Sequence, residues 1–520
     1  MVAKAKTSNT AKKGGAKGKT GGVESVHQII LSRAPAEDLR AYEDAALLLA
    51  AEDAASAISA HKPGTSVVRV DNSTGVERCG RGVTTVTLVN DNMPFLFDSV
   101  MSELSEFGVE ATLVLHPVLV VRHGKNGVDE IVGDVANTKV GPDDDKVSLI
   151  HVHLPKLTDE QSESLKAQLD KTLAQVRAAV ADWKPMLARL DQQITELRYA
   201  PVPLEKDAVA EAIAFLEWLR DDNFTFLGMR EFLYTGGEES GTLERADKTP
   251  EIRAFLHGPD PFIVTKANAK TVVHRRAYLD YIGIKTFDDE GKLTGELRIV
   301  GLFTSTAYTR SVMKIPYLRS KAEAVIVKSG FAPTDHSGKA LTNVLESYPR
   351  DELFQIGLPI LRKHAEAILA LGERPRVRAL YRVDQFDRFV SVIVFVPRDR
   401  YDSQARVEIG NYLKDVFKGR VSAYYPAFPE GTLARVHFII GRSGGKTPRI
   451  ETETLEAEIR KIVRTWDDAL QEAVEETGAD IKLAKVAAGF PDSYRNGFSA
   501  ETALIDAERI SRLSRKNPIA

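Results

Sequence analysis

The spacing of apolar residues divides the chain into helical and extended stretches. Over 24–61, Val26, Ile29 and Ile30 precede Pro35, and Leu39, Tyr42, Ala46 and Leu49 follow it at three- and four-residue intervals, which predicts helix. The period then drops to two. Residues 67–70 and 83–90 read as strands, 94–107 as a helix, 110–122 and 146–154 as strands, and 158–197 as a long helix broken near Pro185. His123-Gly124-Lys125-Asn126-Gly127 marks a turn.

The same order of elements returns near the C-terminus. Residues 376–383 and 389–396 predict a hairpin, 403–417 a helix, 421–426 and 433–440 strands, and 451–476 a helix. The last strand of each set carries Val-His before an apolar residue, at Val152-His153-Leu154 and Val436-His437-Phe438. The closing helices read Arg177-x-x-Val180-x-x-Trp183 and Arg460-x-x-Val463-x-x-Trp466. This agreement predicts an internal duplication of a split β-α-β unit, a small sandwich with helices on one sheet face and the other face left for a partner.

Between the copies, 203–220 predicts an amphipathic helix ending near Trp218. Strands follow at 224–232, 261–265 and 271–274, then a hairpin of 278–287 and 295–303 across Asp288-Asp289-Glu290-Gly291. Helices at 316–329, 339–346 and 350–371 lead into the second copy.

Composition narrows the classes. At 520 residues the chain is long enough for three or four domains, and 43% apolar residues supply real cores. A net charge of -3 argues against a general nucleic-acid binder, and no apolar run reaches membrane-helix length. The single cysteine, Cys79, excludes an intrachain disulfide framework and points to a reducing, cytoplasmic setting. The first 22 residues carry lysines without acids or an apolar core, and predict a disordered arm.

The candidate chemistry is sparse. Gly441-Arg442-Ser443-Gly444-Gly445-Lys446-Thr447 ends like a phosphate loop but has Ile440 where the motif requires glycine, and no GxGxxG opens a helix. His151 and His153 share one strand face and offer two metal-ligand nitrogens without an evident third, so the plainer expectation is a half-exposed histidine pair. Cys79 sits between Arg78 and Arg81, with no base partner to make it a nucleophile. Lys266, Arg275, Arg276 and Tyr278 form a basic cluster that suits an acidic small substrate, the basis of an alternative reading as a self-contained enzyme at the middle module. Asp91 and Pro94 suit a helix start whose free N–H groups could receive a carboxylate.

At that corner, Asp91-Asn92-Met93-Pro94-Phe95-Leu96-Phe97-Asp98 resembles the strand-to-helix turn of ACT domains, with Phe95 in the place of their glycine. More widely, the 90–100 segment, His116-Pro117-Val118-Leu119, Asp222-Asn223-Phe224-Thr225-Phe226-Leu227-Gly228, Ala277-Tyr278-Leu279-Asp280-Tyr281-Ile282-Gly283, the 348–355 segment and Val396-Pro397-Arg398-Asp399-Arg400-Tyr401 resemble, in order, the N-terminal region of the large bacterial NAD-specific glutamate dehydrogenases.

That resemblance implies an α+β fold of multiple ACT-like, ferredoxin-like sandwiches joined by helical segments. The expected division is a disordered arm (1–23), a first ACT-like module (24–200), a second (201–335), a helical connector (336–373), a third module (374–480) and a C-terminal helical segment (481–520). It implies a regulatory and assembly role beside a catalytic region that lies beyond Ala520, where the parent reaction converts L-glutamate, NAD and water to 2-oxoglutarate, ammonia and NADH. No catalytic, cofactor-binding or metal residue is expected in this chain, and NAD belongs to the parent enzyme. The expected partners are a second copy or the catalytic region of the same enzyme, with no membrane and no specific nucleic acid. The candidate amino-acid effector corner comprises Asn90, Asp91, Asn92 and Asp98, although the bulk of Phe95 favours packing there.

Overall fold

The computed structural model describes residues 23–233, 250–495 and 497–513, so the lysine-rich arm falls outside the described residues. Three antiparallel sheets follow one another along the chain.

The first is built from β1 (Ser66–Asp71), β2 (Glu77–Arg78), β3 (Arg81–Asp91), β4 (Leu113–Leu115), β5 (Val118–His123), β6 (Val128–Asp134) and β7 (Asp145–Pro155). Its order is β1-β3-β7-β5-β6, with β2 beside β3 and β4 beside β7. The stretch expected as one strand over 110–122 is two, because His116-Pro117 interrupts pairing; Pro117 has no N–H to give, but its carbonyl still accepts from Leu149 N at 3.1 Å. The strand β6 had no sequence signal of its own beyond the turn before it.

Alternation along β3 and β7 sorts the core. Val86, Leu88, Ile150 and Val152 meet the Leu96–Glu106 and Asp159–Tyr199 helices. Val89, Val147 and Leu149 face the other way, onto the Val23–Leu31 and Asp44–Ser59 helices. The latter presents Ala46, Ala50, Ala54 and Ala57, small enough to bring its backbone close to the sheet. The face expected to await a partner is therefore covered by the chain itself. Nor does Pro185 break the long helix, which runs unbroken for 41 residues.

The middle sheet comprises β8 (Phe224–Leu233), β9 (Phe262–Lys270), β10 (Tyr278–Phe287) and β11 (Leu293–Phe303), ordered β8-β11-β10-β9. Three consecutive strands follow the Pro250–His257 helix, a different element order from the split β-α-β of the flanking modules. Residues 271–274, expected as a strand, form bends instead.

The third sheet comprises β12 (Arg378–Val383), β13 (Phe389–Pro397), β14 (Arg420–Ala427) and β15 (Leu433–Gly441), ordered β12-β13-β15-β14. This is the order β1-β3-β7-β4 repeated. The register repeats too, since Val152 opposes Val86 and Val436 opposes Val394. One face packs the Ser403–Val416 and Thr452–Ile462 helices through Val392, Val394, Val436 and Phe438. From the other, Leu380, Ile393 and Phe395 join a core shared with the middle sheet and the connector helices Leu318–Lys328, His336–Ser347, Arg350–Gln355 and Leu358–Glu373.

The helix expected over 451–476 is interrupted after Ile462. Thr465 caps a new helix, Trp466–Thr477, in a reciprocal box with Asp468. That helix packs against Ile481–Ala487 and Ala500–Ser511 in a core of its own, so the helical tail begins at Trp466.

Candidate functional site

The basic cluster singled out in the sequence is gathered in one place. On β9, Lys266 stands directly opposite Asp280 of β10, and their charges meet at 2.7 Å. Asp351, in the first turn of the Arg350–Gln355 helix, closes the triad 3.3 Å from the same ammonium and accepts a hydrogen bond from the Tyr308 hydroxyl at 2.8 Å. Burial works against the Lys266 charge, but the two carboxylates outweigh it and hold its pKa above the ordinary lysine value. Burial first, then the charge of Asp351, push Asp280 up to about 6 despite the pull of Lys266.

A second buried pair lies next to it. Arg382 of β12 grips Glu352 with both arms of its guanidinium, Nη2 to Oε2 at 2.8 Å and Nε to Oε1. Burial raises the Glu352 pKa and the guanidinium more than reverses that, leaving it below the usual value. His437 of β15 lies 2.8 Å from Ser391 Oγ, and burial pushes it down to about 4. Lys321 donates to the carbonyls of Leu353, Phe354 and Ile356 at 3.2, 3.0 and 3.0 Å, closing the C-terminal end of the short helix that carries Asp351 and Glu352. Burial pushes that lysine down to about 7.

Above these pairs, between β9–β10, the Pro349–Gln355 segment and β14–β15, lies a cavity of about 740 Å³. Lys266, Arg275, Arg276 and Tyr278 all line it. Its lining carries nine lysines and arginines against two carboxylates, those of Asp351 and Glu352. Arg276 is committed to Glu103 of the first module at 2.6 Å, and Arg275 donates to the Phe303 carbonyl at 3.0 Å. The buried guanidinium of Arg350 donates through Nη2 to the Arg310 carbonyl at 3.1 Å and lies 3.8 Å from the Glu346 carboxylate, while its Nε and Nη1 have no partner. The arrangement suits an anion. Within it Lys266 is tied up as an ammonium between two carboxylates. Sequence reasoning found the β9–β10 side of this cavity but missed Arg420 and Arg435 on β14–β15 and read Arg442 only as part of the loop after β15, because nothing local says that two sheets more than a hundred residues apart face each other.

The corner residues do not converge. Asn90 Oδ1 accepts from Arg177 Nη2 at 2.6 Å, and its Nδ2 donates to the Asp91 carbonyl at 2.7 Å. Asp91 Oδ2 accepts from Gly64 N at 2.8 Å. The side chain of Asn92 is exposed, its backbone N–H donating to Lys146 O at 2.9 Å. Asp98 points away, to His274 Nδ1 of the middle module at 3.0 Å. Phe95 is half-buried against His274 and takes a left-handed backbone with φ of 71°, the conformation for which glycine is suited.

His151 and His153 are fully buried, not half-exposed, because the alanine-rich Asp44–Ser59 helix covers their face. Their remaining ring nitrogens reach Thr87 Oγ1 at 2.8 Å and the Tyr42 hydroxyl at 3.0 Å. Among the described residues no group of three or more His, Cys, Asp or Glu is placed to hold a metal ion. The 441–447 loop is filled by its own contacts, Arg442 donating to the carbonyls of Gly444 and Gly445 at 3.2 and 2.8 Å and Thr447 to Asp387. Cys79 is exposed, 3.5 Å from the Ala41 carbonyl. The described strands pair antiparallel throughout, so the parallel crossover ending in a phosphate-binding turn on which a dinucleotide fold is built is not found among them. No helix among the described residues is long and apolar enough to cross a membrane.

Four family models match the chain: the glutamate dehydrogenase ACT1 domain over residues 27–169, helical motif 1 over 315–374, the ACT2 domain over 378–467 and helical motif 2 over 469–513. The NAD-specific glutamate dehydrogenase of Halomonas elongata is 34% identical over 467 residues, 84% of this chain and 29% of the relative. That of Pseudomonas aeruginosa is 32% identical over 461 residues, 84% of this chain and 28% of its own length. The enzyme of Mycobacterium tuberculosis is 24% identical over 457 residues, 82% and 27% respectively. The chain thus spans less than a third of each of these relatives. The duplicated sheets coincide with the two ACT matches and the helical connector and tail with the two helical motifs, and the chain belongs to the large NAD-specific glutamate dehydrogenase family, of which it carries the ACT domains and helical motifs.

Proposed function

We propose that this chain is the regulatory and assembly segment of an NAD-dependent glutamate dehydrogenase, whose reaction converts L-glutamate, NAD and water to 2-oxoglutarate, ammonia and NADH. One observation carries the reading: ACT domains and helical motifs account for residues 27–169, 315–374, 378–467 and 469–513, while the chain spans only about 28% of the relatives' length. The remainder of such an enzyme supplies the NAD fold and the chemistry, in the cytoplasm. The division into an arm, three sheet modules, a connector and a helical tail goes with it, the tail starting at Trp466.

Assembly in this reading proceeds through surfaces other than the sheet faces. Val421, Tyr424, Tyr425 and Phe428 are exposed at the β14 edge, and Phe498, Ile505 and Ile510 on the tail, which supports docking to a second copy or to the catalytic region. The self-contained enzyme is the weaker reading because the cavity's lysine is held protonated. The corner of Asn90, Asp91, Asn92 and Asp98 serves packing, an amino-acid effector there being the rival.

The test is glutamate-dependent NADH formation. The purified chain is expected to show none, and the enzyme that contains it is expected to change its kcat or its oligomeric state when the segment is removed. Turnover by the chain alone, or an enzyme indifferent to the loss, would overturn the proposal.

A further inference from the structure

We propose that the cavity between the middle and third sheets is an effector site for a multiply charged small anion, bearing carboxylates or phosphates. This deepens the regulatory reading and rests on it for the word effector, but the binding site itself rests on geometry.

Three observations point to it. First, the charge there is not neutralised from within. Lys270, Arg275, Arg420, Arg435 and Arg442 line the cavity without a carboxylate partner among the described residues, and the contacts of Lys270, Arg275, Arg435 and Arg442 are to carbonyls and aromatic rings. Like charges gathered within one wall repel, and an anion of two or more charges removes that repulsion. Second, Arg350 is 8% exposed and lines the same space, with its Nη2 3.8 Å from Glu346 and its Nε and Nη1 unpartnered. A buried charged donor left unsatisfied is costly, and a planar fork of N–H groups matches the two oxygens of a carboxylate or phosphate. Third, 740 Å³ falls in the range of small-molecule pockets, and Tyr278, Tyr425 and Phe389 give it an apolar portion.

The wall has two owners. Lys270 and Arg275 come from the middle module and Arg420, Arg435 and Arg442 from the third, so an anion held by both sides draws them together. The Lys266–Asp351 and Glu352–Arg382 pairs beneath tie the short connector helix to each side in turn. Occupancy therefore has a mechanical consequence for two modules at once, as regulation requires.

The experiment is calorimetric titration of the full chain with inorganic phosphate, pyrophosphate, succinate and tricarballylate, at low and high NaCl. Saturable binding of at least one of these is expected, weakening with salt. Lys270→Glu and Arg420→Glu, both on exposed residues, are expected to weaken it tenfold or more while leaving the melting curve in place. Preference between pyrophosphate and tricarballylate tells a phosphate ligand from a carboxylate one, and either outcome upholds the site. No saturable heat with any of the four at millimolar concentration, or unchanged affinity in both variants, would overturn it. Binding that leaves the parent enzyme's rate unchanged would keep the site and remove the regulatory reading alone.

Discussion

His151 Nε2 lies 3.0 Å from His153 Nε2, with both rings fully buried, and this contact fixes the tautomer of each. Thr87 has one hydroxyl hydrogen and gives it to Asp53 Oδ2 at 2.9 Å, so His151 Nδ1 must donate to Thr87. Its Nε2 then accepts from His153 Nε2, and His153 Nδ1 accepts from the Tyr42 hydroxyl at 3.0 Å. The whole chain of donors points to the Asp53 carboxylate and needs both rings neutral.

Acid should therefore destabilise this fold through its histidines. Burial pushes His151 down to about 4 and His153 to about 3, and His364 and His437 to about 4. A folded pKa below the unfolded value near 6.5 means that the unfolded chain takes up protons first as pH falls. Stability is then full above about 6.5 and declines towards 4, by about 1.4 kcal/mol for each buried histidine at pH 5.5. Urea unfolding at pH 7.5 and 5.5 measures this, and His151→Leu/His153→Leu is expected to remove about half of the pH dependence. An equal slope in that variant would show that the pair does not titrate as buried.

Phe95 supplies a test with an inverted order. Its ring is half-buried, which glycine would lose, but its backbone is left-handed, which glycine would relieve. The sequence alone suggests a cost of ~3–5 kcal/mol for Phe95→Gly, as for a packed core ring. With both terms the expected cost is about 1–2 kcal/mol, and Phe95→Ala should be the worse variant by about 1 kcal/mol. Thermal melts of the two variants decide, glycine above alanine being the expected order.

The Arg382–Glu352 pair joins the third sheet to the connector. Glu352→Ala is expected to cost about 3–5 kcal/mol, since it strands a buried guanidinium, whereas Glu352→Leu/Arg382→Met should recover much of that. A double-mutant cycle on equilibrium unfolding reads the difference, and additive losses would argue against a coupled pair.

Replacing Lys266 by methionine leaves Asp280 and Asp351 facing each other without a cation. The variant's deficit against the parent should be largest at alkaline pH and shrink as pH falls towards about 6, because without the Lys266 charge Asp280 titrates above the value of about 6 it holds in the parent, and protonating it ends the repulsion. Paired denaturant melts across that range are the measurement. A deficit that grows with acid would reverse the assignment.

What the sequence made legible follows from range. The strand alternation in 146–154, the duplicated Val-His and Arg-x-x-Val-x-x-Trp spacings and the hairpin at Asp288-Asp289-Glu290-Gly291 are local, and they reappear in β7, in the repeated sheet order and between β10 and β11. The Arg-x-x-Val-x-x-Trp repeat still concealed a difference: the helix continues past Trp183 but stops before Trp466, where Thr465 begins another. The covered sheet faces, the burial of His151 and His153 and the far wall of the cavity depend on segments distant in sequence. Of the basic cluster, Lys266 and Tyr278 were readable because β9 and β10 are neighbours, but Arg350 could not be joined to them without the fold.

The unbroken helix Asp159–Tyr199 has a consequence for how the chain comes apart. At about 1.5 Å per residue it is a rod of about 60 Å. Leu165, Leu169, Leu173 and Val176 are seated in the first module's core, and Met186, Leu190, Ile194 and Leu197 in the core that the middle and third sheets share. Neither core can melt without stripping one half of the same rod, and a helix half exposed in this way loses most of what keeps it wound. Three sheets that look separable should therefore unfold in one concerted step, with Pro185, lying between the two sets of anchors, as the one point where the rod is able to bend.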